Sequence, residues 1–268
     1  MADPGPRRRA AFLIGRIRSF TLESPLNRLP QDPSAFIFSE PLVAFADGDD
    51  PLFIDYKSII GPVHLTPREA LAADGREDRN ASCKEISVIS WVLPISERIR
   101  RGNRSQERVP TKEWVQSKYC GERFNDALRD FVVELIRRDG RRAIAPLRSS
   151  IYGVFLDHVV RPPSANWSER HIAYAAGLGT FGLSDGFITP RGIAMRCGSV
   201  VTDLALRPTR RIYETHFANC LYLSRGECGE CMRRCPAGAI TEQCDAKAHR
   251  CGTYIGEALK PWEAVYGI

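Results

Sequence analysis

Apolar residues along the chain form short continuous runs and helical spacings, which alternate between residues 86 and 206. The run ISVISWVL at 86–93 is apolar and β-branched, which predicts a buried strand. From 125 to 138 the apolar residues fall at helical spacing, and Gly140 supplies a natural stop. Shorter apolar runs at three further places predict strands: 142–147, 186–190 and 199–206. This alternation of strand and helix indicates an α/β domain.

The parts of the chain on either side of this alternation have different patterns. Residues 38–65 are rich in Pro, Gly and Asp, which predicts extended segments and turns. TPRE at 66–69 has the Thr, Pro and Glu spacing that opens a helix, and a second cap-like spacing begins near Asn166. A basic link at 207–211 then leads into a cysteine-rich C-terminal region.

Length and composition predict a globular chain with one large domain and a small appendage. The 268 residues are 43% hydrophobic and 26% charged, and no apolar run approaches the length of a membrane span. The N-terminus has an Arg cluster and a short apolar run, without the longer apolar core and cleavage site of a signal peptide, which favours a frayed basic tail. Reduced thiols and the iron–sulfur cluster predicted below are expected to place the protein in a reducing cytosol. We predict a basic flexible tail at 1–30, an α/β domain at 31–211 and a small module at 212–268.

Positive charge is concentrated in the stretch RIRRGNRSQERVPTK at 98–112, within a chain of net charge +6. Such a patch can hold a polyanion such as RNA through phosphate contacts. A solvated basic loop is the alternative, because no RNA-binding motif with interleaved aromatic residues accompanies the patch.

The motif with the most chemical information is Cys-x7-Cys-x2-Cys-x3-Cys-Pro, formed by Cys220, Cys228, Cys231, Cys235 and Pro236. Its last three cysteines match the closing part of the bacterial ferredoxin run that binds a cubane iron–sulfur cluster. The usual first cysteine position is occupied by Arg225, so Cys220 is the candidate substitute. Disulfides are disfavoured, because nine cysteines is an odd number and nothing marks a secreted chain. A structural zinc site and free thiols remain the alternatives.

A second motif is glycine-rich: AGLGTFG at 176–182 follows NWSERH at 166–171 and precedes ITP and then GSVVTDL at 198–204. By itself the glycine segment is also explained by a helix C-cap and a tight turn. Together with the cysteine run, which ends in CPAGAI, the pattern resembles the epoxyqueuosine reductase and reductive dehalogenase superfamily, and especially its branch of epoxyqueuosine reductase-like iron–sulfur proteins. The resemblance covers roughly residues 38–260.

This resemblance implies a nitroreductase-like, cobalamin-binding α/β (α+β) domain followed by a ferredoxin-like module with 4Fe–4S clusters. In such enzymes the clusters pass electrons one at a time to the cobalt of a cobalamin. The residues expected around the corrin are Glu169, Gly177, Gly179, Gly182, Gly198 and Ser199. A flavin such as FMN on the same scaffold is the alternative cofactor. An electron donor such as ferredoxin or flavodoxin and a tRNA substrate are the implied partners.

The chain departs from the family pattern at two places. The proton-donating Asp of epoxyqueuosine reductases falls at Pro163, so Asp157 and His158 are the nearest acid–base groups, and Tyr152 and Tyr174 are candidates on the dehalogenase pattern. Two clusters also need more thiolates than the six cysteines of the C-terminal region supply. Either one cluster forms on Cys220, Cys228, Cys231 and Cys235, or the chain is truncated, or ligands come from elsewhere. With two clusters, Cys235 and Cys251 would serve the second. Cys83, Cys120 and Cys197 are expected to be buried apolar thiols.

The sequence therefore predicts an iron–sulfur oxidoreductase in which a cluster delivers electrons to a corrinoid. Three alternatives stay open: a non-catalytic electron-transfer or corrinoid-binding protein, a flavin-dependent reductase, and a zinc-stabilised interaction module.

Overall fold

The computed structural model describes residues 5–74, 85–155, 164–242 and 247–266. The helices are α1 (Gly5–Glu23), α2 (Leu52–Ile59), α3 (Pro67–Ala72), α4 (Glu97–Arg104), α5 (Lys112–Arg138), α6 (Glu169–Ala175), α7 (Leu221–Arg225), α8 (Glu230–Arg233) and α9 (Lys247–Tyr266). The strands are β1 (Arg28–Leu29), β2 (Asp32–Phe36), β3 (Leu42–Asp47), β4 (Ser87–Pro94), β5 (Ala143–Ile144), β6 (Val154–Phe155), β7 (Ser164–Ala165), β8 (Thr180–Phe181), β9 (Phe187–Ile188) and β10 (Met195–Thr202). The predicted mixed α/β composition is confirmed.

A four-stranded sheet in the order β3-β4-β10-β5 forms the centre of the fold, and its neighbouring strands are antiparallel. Every residue of β4 is buried, which confirms the buried strand predicted from the run at 86–93. Side chains of β4 alternate between the two faces of the sheet, as the twofold periodicity of a strand requires. Ile89, Trp91 and Leu93 belong to the core shared with α5, whereas Val88 and Val92 belong to the core shared with α6.

The N-terminal segment is a 19-residue helix, so the prediction of a frayed tail is wrong for Gly5–Glu23. Ala10, Leu13 and Ile17 are buried in the core that contains α5, and the ring of Phe20 stacks on Phe131 with centroids 4.5 Å apart. The apolar residues lie at helical spacing between the arginines, so the helix has one stripe that it can bury.

Two further helices differ from the sequence prediction. Helix α5 begins at Lys112, well before the predicted start, because Thr111 caps it by accepting a hydrogen bond from the backbone N–H of Trp114 at 3.2 Å. Helix α2 lies within 38–65, where only extended segments and turns were expected. The predicted capping box is confirmed at the start of α3, where Thr66 and Glu69 bond reciprocally.

Both edges of the central sheet are partly covered by other segments. At β3, the backbone N–H of Thr209 donates to the carbonyl of Phe45 at 2.8 Å, and the Thr209 hydroxyl accepts from the N–H of Phe45 at 3.1 Å. At β10, which pairs with β5 only through Val201 and Thr202, the carbonyl of Cys197 accepts hydrogen bonds from side chains of α5. Within the described ranges, no helix is both long and apolar enough to cross a membrane.

Candidate functional site

The cysteine run forms a compact turn between short helices. Cys220 is buried at the start of α7, while Cys228 and Cys231 lie in and just after the turn that joins α7 to α8. This turn has left-handed backbone at Cys228, with φ of 87°, and at the flanking glycines. A positive φ is uncommon for a residue other than glycine and marks a local constraint. Burial raises the pKa of the Cys231 thiol, the backbone N–H of Met232 opposes that change, and the thiols of Cys220 and Cys228 add to it.

The sulfur of Cys235 is surrounded by backbone N–H groups of the segment that follows it. The N–H of Ala239 donates to Cys235 Sγ at 3.2 Å. Burial by itself would raise the pKa of Cys235, but the N–H groups of residues 237–240 favour the thiolate and bring this pKa below its ordinary value. Hydrogen bonds to ligand sulfurs are one of the means by which a protein adjusts the potential of an iron–sulfur cluster.

In the described part of the chain, no three His, Cys, Asp or Glu side chains converge as ligands of a single metal ion would. The thiols nevertheless suit a cluster, because a cubane takes one thiolate at each iron and therefore spreads its ligands over separate corners. The left-handed turn at Cys228 and the N–H groups around Cys235 are the observations that fit such a group. Cys251 lies on α9 and lines the same cavity as Cys235, and Cys244 and Cys83 lie outside the described residues.

A cavity of about 610 Å³ lies between the cysteine turn, the α/β domain and α9. We call it the α5–α9 cavity. Its walls come from the cysteine run, the first turns of α5, the start of β10 and one side of α9. The lining residues include Cys235, Pro236, Trp114, Lys118, Ile193, Met195, Arg196, Cys251, Tyr254, Ile255 and Leu259. The Tyr254 hydroxyl donates to the carbonyl of Arg108 at 2.8 Å, which ties α9 to the loop before α5. The volume is in the range of small-molecule pockets.

The four glycines predicted around a corrin all have close neighbours from the protein itself. A Cβ at Gly198 would lie 2.5 Å from the Trp91 ring, and a Cβ at Gly179 would collide with the backbone carbonyl of Ile188. Gly182 faces the Ile188 side chain at 3.0 Å, and Gly177, with φ of 81°, faces the backbone of Arg211 at 3.3 Å. Internal packing thus accounts for these glycines, and they provide no open cradle that a Cβ would fill.

Glu169 and Ser199, the other two predicted cofactor residues, belong to a buried polar network. The hydroxyl of Ser199 donates to Glu169 Oε2 at 2.6 Å and accepts a hydrogen bond from Trp167 Nε1 at 2.9 Å. The guanidinium of Arg129 lies 3.3 Å from Glu169 Oε1. Burial raises the pKa of Glu169, and Arg129 and Ser199 oppose that change. None of the six predicted cofactor residues lines the α5–α9 cavity, and their role at a corrin stays a prediction.

Of the predicted catalytic residues, only the two tyrosines can be compared with the position of the cavity. Asp157 and His158 lie outside the described residues. Tyr174 is half-buried, with the Arg211 guanidinium 5.7 Å from its ring centroid, and Tyr152 is exposed. Neither tyrosine lines the cavity. Cys197 is buried, which confirms the expectation for this thiol, whereas Cys120 is only half-buried beside the core that contains α5.

Sequence reasoning missed the cavity walls that α5 and α9 supply. Trp114, Lys118 and Tyr254 carry no motif, and their proximity to Cys235 depends on how three distant parts of the chain pack. One local signal was available, because Thr111 with the following apolar residues marks an earlier start for α5.

Comparison with known proteins gives solved structures but no family model. No protein-family model and no curated protein matches the chain. Among solved structures, a selenomethionine-labelled epoxyqueuosine reductase matches 92% of the chain at 16% identity and a TM-score of 0.45. An epoxyqueuosine reductase with an epoxyqueuosine-modified tRNA-Tyr stem loop matches at 17% identity and 0.44, and epoxyqueuosine reductase from Bacillus subtilis at 16% and 0.44, each over 92% of the chain.

These structures come from the family that the sequence motifs resemble. The chain spans 56–57% of the length of these three proteins.

Proposed function

We propose that this protein is an iron–sulfur oxidoreductase in which a cluster on Cys220, Cys228, Cys231 and Cys235 passes electrons to an acceptor in the α5–α9 cavity. The proposal rests on Cys235, which belongs both to the cysteine run and to the wall of the cavity. Its sulfur accepts a hydrogen bond from the Ala239 N–H, as a thiolate ligand would, and the same residue lines the cavity. An acceptor in the cavity would therefore lie beside a ligand of the cluster.

The protein has distinct tasks in this proposal. The turn at Cys228 holds thiolates in place, and the N–H groups after Cys235 stabilise negative charge on its sulfur. The apolar walls of the cavity exclude water from the acceptor. When bound, a cluster would supply one-electron transfer to the acceptor.

The proposed acceptor in the α5–α9 cavity is one of two cofactors. A corrinoid is suggested by the sequence resemblance, with a flavin as the alternative. The glycines expected to cradle a corrin are closed by protein atoms, so these residues do not fit a corrin at that place. A ferredoxin or flavodoxin is the proposed class of electron donor.

Anaerobic reconstitution with iron and sulfide tests the cluster. The expected result is a visible charge-transfer band with iron and acid-labile sulfide in equal amounts, together with an electron paramagnetic resonance signal after reduction. Stoichiometric zinc without such a band would contradict the proposal and favour the zinc-stabilised module. A cluster without any acceptor-dependent oxidation would favour the non-catalytic electron-transfer protein.

An RNA partner is a second part of the proposal, and it depends on the basic stretch at 98–112. Arg98 and Arg101 on α4 form ion pairs with Asp32 and Glu97, and Arg100 and Arg108 are exposed. Arg108 also lines the α5–α9 cavity, so a polyanion bound to the basic stretch would lie at the margin of that cavity. Electrophoretic mobility shift with unmodified tRNA at several salt concentrations tests this contact. Binding that does not weaken with salt would contradict a phosphate-based contact.

A further inference from the structure

The α5–α9 cavity combines apolar walls with positive charge. Its apolar side chains come from two sides of the molecule, with Trp114 and Met195 on the α/β domain and Ile255 and Leu259 on α9. An aromatic ligand between such walls would bury its faces and could stack on the Trp114 ring. The chemistry of the walls therefore favours a ligand with a flat apolar body.

The charged residues of the same cavity are all cations. Arg108, Lys118 and Arg196 line it, and its described lining contains no Asp or Glu. Arg196 Nη2 donates to the carbonyl of Lys118 at 3.3 Å, which places the guanidinium beside this turn of α5. A ligand that carries an anionic group would find complementary charge here.

These cations are only weakly neutralised by the protein. Arg196 Nε lies 3.7 Å from Glu122 Oε2, but the other oxygen of that carboxylate accepts a hydrogen bond from Arg129 Nη1 at 2.8 Å. Within the described ranges, neither Lys118 nor Arg108 forms an ion pair. Lys118 contacts the ring of Tyr119, with Nζ 5.2 Å from the ring centroid. Positive charge thus remains available to a ligand.

We infer that the α5–α9 cavity binds a planar aromatic ligand with an anionic substituent, the rings between Trp114 and α9 and the anion at Lys118, Arg108 and Arg196. Binding of this class of ligand follows from the cavity itself, and only its role as electron acceptor rests on the proposed function.

FMN and riboflavin are suitable probes, because they share the same ring system and differ by one phosphate. Each is titrated into the full chain under anaerobic conditions at low salt, and binding is followed by flavin fluorescence. We expect FMN to bind at least about tenfold more tightly than riboflavin, since a phosphate at these cations forms charge-assisted hydrogen bonds. Lys118→Gln should remove most of this preference while riboflavin affinity stays unchanged.

Two further variants complete the test. Arg123→Gln removes a positive charge from an exposed position of the same helix that does not line the cavity, and it should keep the preference for FMN. Ala258→Trp, which fills part of the cavity from α9, should weaken both flavins. Equal affinity for FMN and riboflavin, or an unchanged preference in Lys118→Gln, would overturn the inference. Retention of hydroxocobalamin by a protein that binds neither flavin would overturn it as well.

Iron and sulfide analysis of the same samples separates the two proposals. A protein that contains the cluster but does not bind FMN contradicts the ligand inference and leaves the proposed cluster intact. A protein that binds FMN with the expected preference but never contains iron contradicts the proposed function and leaves the binding site intact.

Discussion

The indole of Trp91 occupies the space that a side chain at Gly198 would need. The two residues are paired across β4 and β10, and a Cβ at Gly198 would lie 2.5 Å from Trp91 Nε1 and Cε2. Trp91 has no room to withdraw, because it is fully buried and its Nε1 donates to Asn125 Oδ1 at 2.9 Å. This contact makes glycine a packing requirement at position 198.

Replacement of this glycine should therefore destabilise the fold. We expect Gly198→Ala to lower the free energy of unfolding by about 1–3 kcal/mol, the usual cost of overpacking a core. Urea denaturation followed by tryptophan fluorescence measures the change. Gly102→Ala on α4 is the matched control, because its Cβ would meet nothing within 4 Å, and alanine favours a helix. A Gly198→Ala protein as stable as the wild type would show that Trp91 can move.

Arg129 on α5, which lies beside Glu169 on α6, should be essential to the stability of the fold. Its side chain is 1% exposed and lies near Glu122, Asp126 and Glu169. Arg129→Met would leave Glu169 buried without its cation, and removal of one partner of a buried pair costs about 3–5 kcal/mol. Chemical denaturation measures this loss of unfolding free energy.

A double variant separates the ion pair from simple packing. Arg129→Met combined with Glu169→Gln removes both charges and should recover part of the lost stability, which a double-mutant cycle quantifies. Arg138→Met, which breaks an exposed pair with Glu134 on the same helix, should change stability by less than about 1 kcal/mol. Additive effects of the Arg129 and Glu169 substitutions would argue against direct coupling.

Two buried histidines should make the fold sensitive to mild acid. Burial and then the Lys57 ammonium lower the pKa of His64 to about 4, and burial and then Arg170 lower the pKa of His171 to about 3. Both are neutral in the folded state, whereas in the unfolded chain they gain protons below pH 6.5. Their contribution to stability is therefore complete above pH 6.5 and is lost as the pH falls towards 4, by about 1.4 kcal/mol per pH unit for each histidine.

Unfolding free energies at pH 7.5 and pH 5 test this pH dependence. His64→Gln should reduce the difference between the two pH values, since the remaining amide does not titrate and can still accept the Ser168 N–H that His64 Nε2 accepts at 3.2 Å. The prediction is wrong if His64→Gln and the wild type lose the same stability.

The cysteine turn gives a prediction that distinguishes ligands from core thiols. Cys231→Ser should abolish most of the iron and the visible band after reconstitution, because serine oxygen replaces a thiolate in the proposed ligand set. Cys120→Ser, which changes a half-buried thiol on α5, should keep the full iron content. Equal iron content in both variants would remove Cys231 from the ligand set.

The sequence predicted the parts of the fold that local pattern determines. β4 is apolar throughout because both of its faces are covered, and Thr66 with Glu69 gives a helix start that depends on four residues alone. The N-terminal helix was missed because its arginines conceal a narrow stripe formed by Ala10, Leu13 and Ile17. That stripe is stable only against α5, a partner about a hundred residues further along the chain.

The candidate site shows the same division between local and distant information. The cysteine spacing marked the thiols directly, because their grouping is a local property of one turn. The meaning of the glycines depended on distant residues: whether Gly198 faces a cofactor or Trp91 is decided by the pairing of β10 with β4. The cavity forms only where α5, β10 and α9 pack together, and the residue spacing within one of these segments does not predict that packing.

The covering of both sheet edges has a consequence for behaviour at high concentration. An uncovered edge strand offers rows of N–H and C=O groups to which a strand of another molecule can add, and this is a common start of aggregation. Thr209 engages the backbone of Phe45 at one edge, and Asn125 and Arg129 engage the carbonyl of Cys197 at the other. The side chains that stabilise the fold of one molecule thereby also hinder the growth of intermolecular β-sheet.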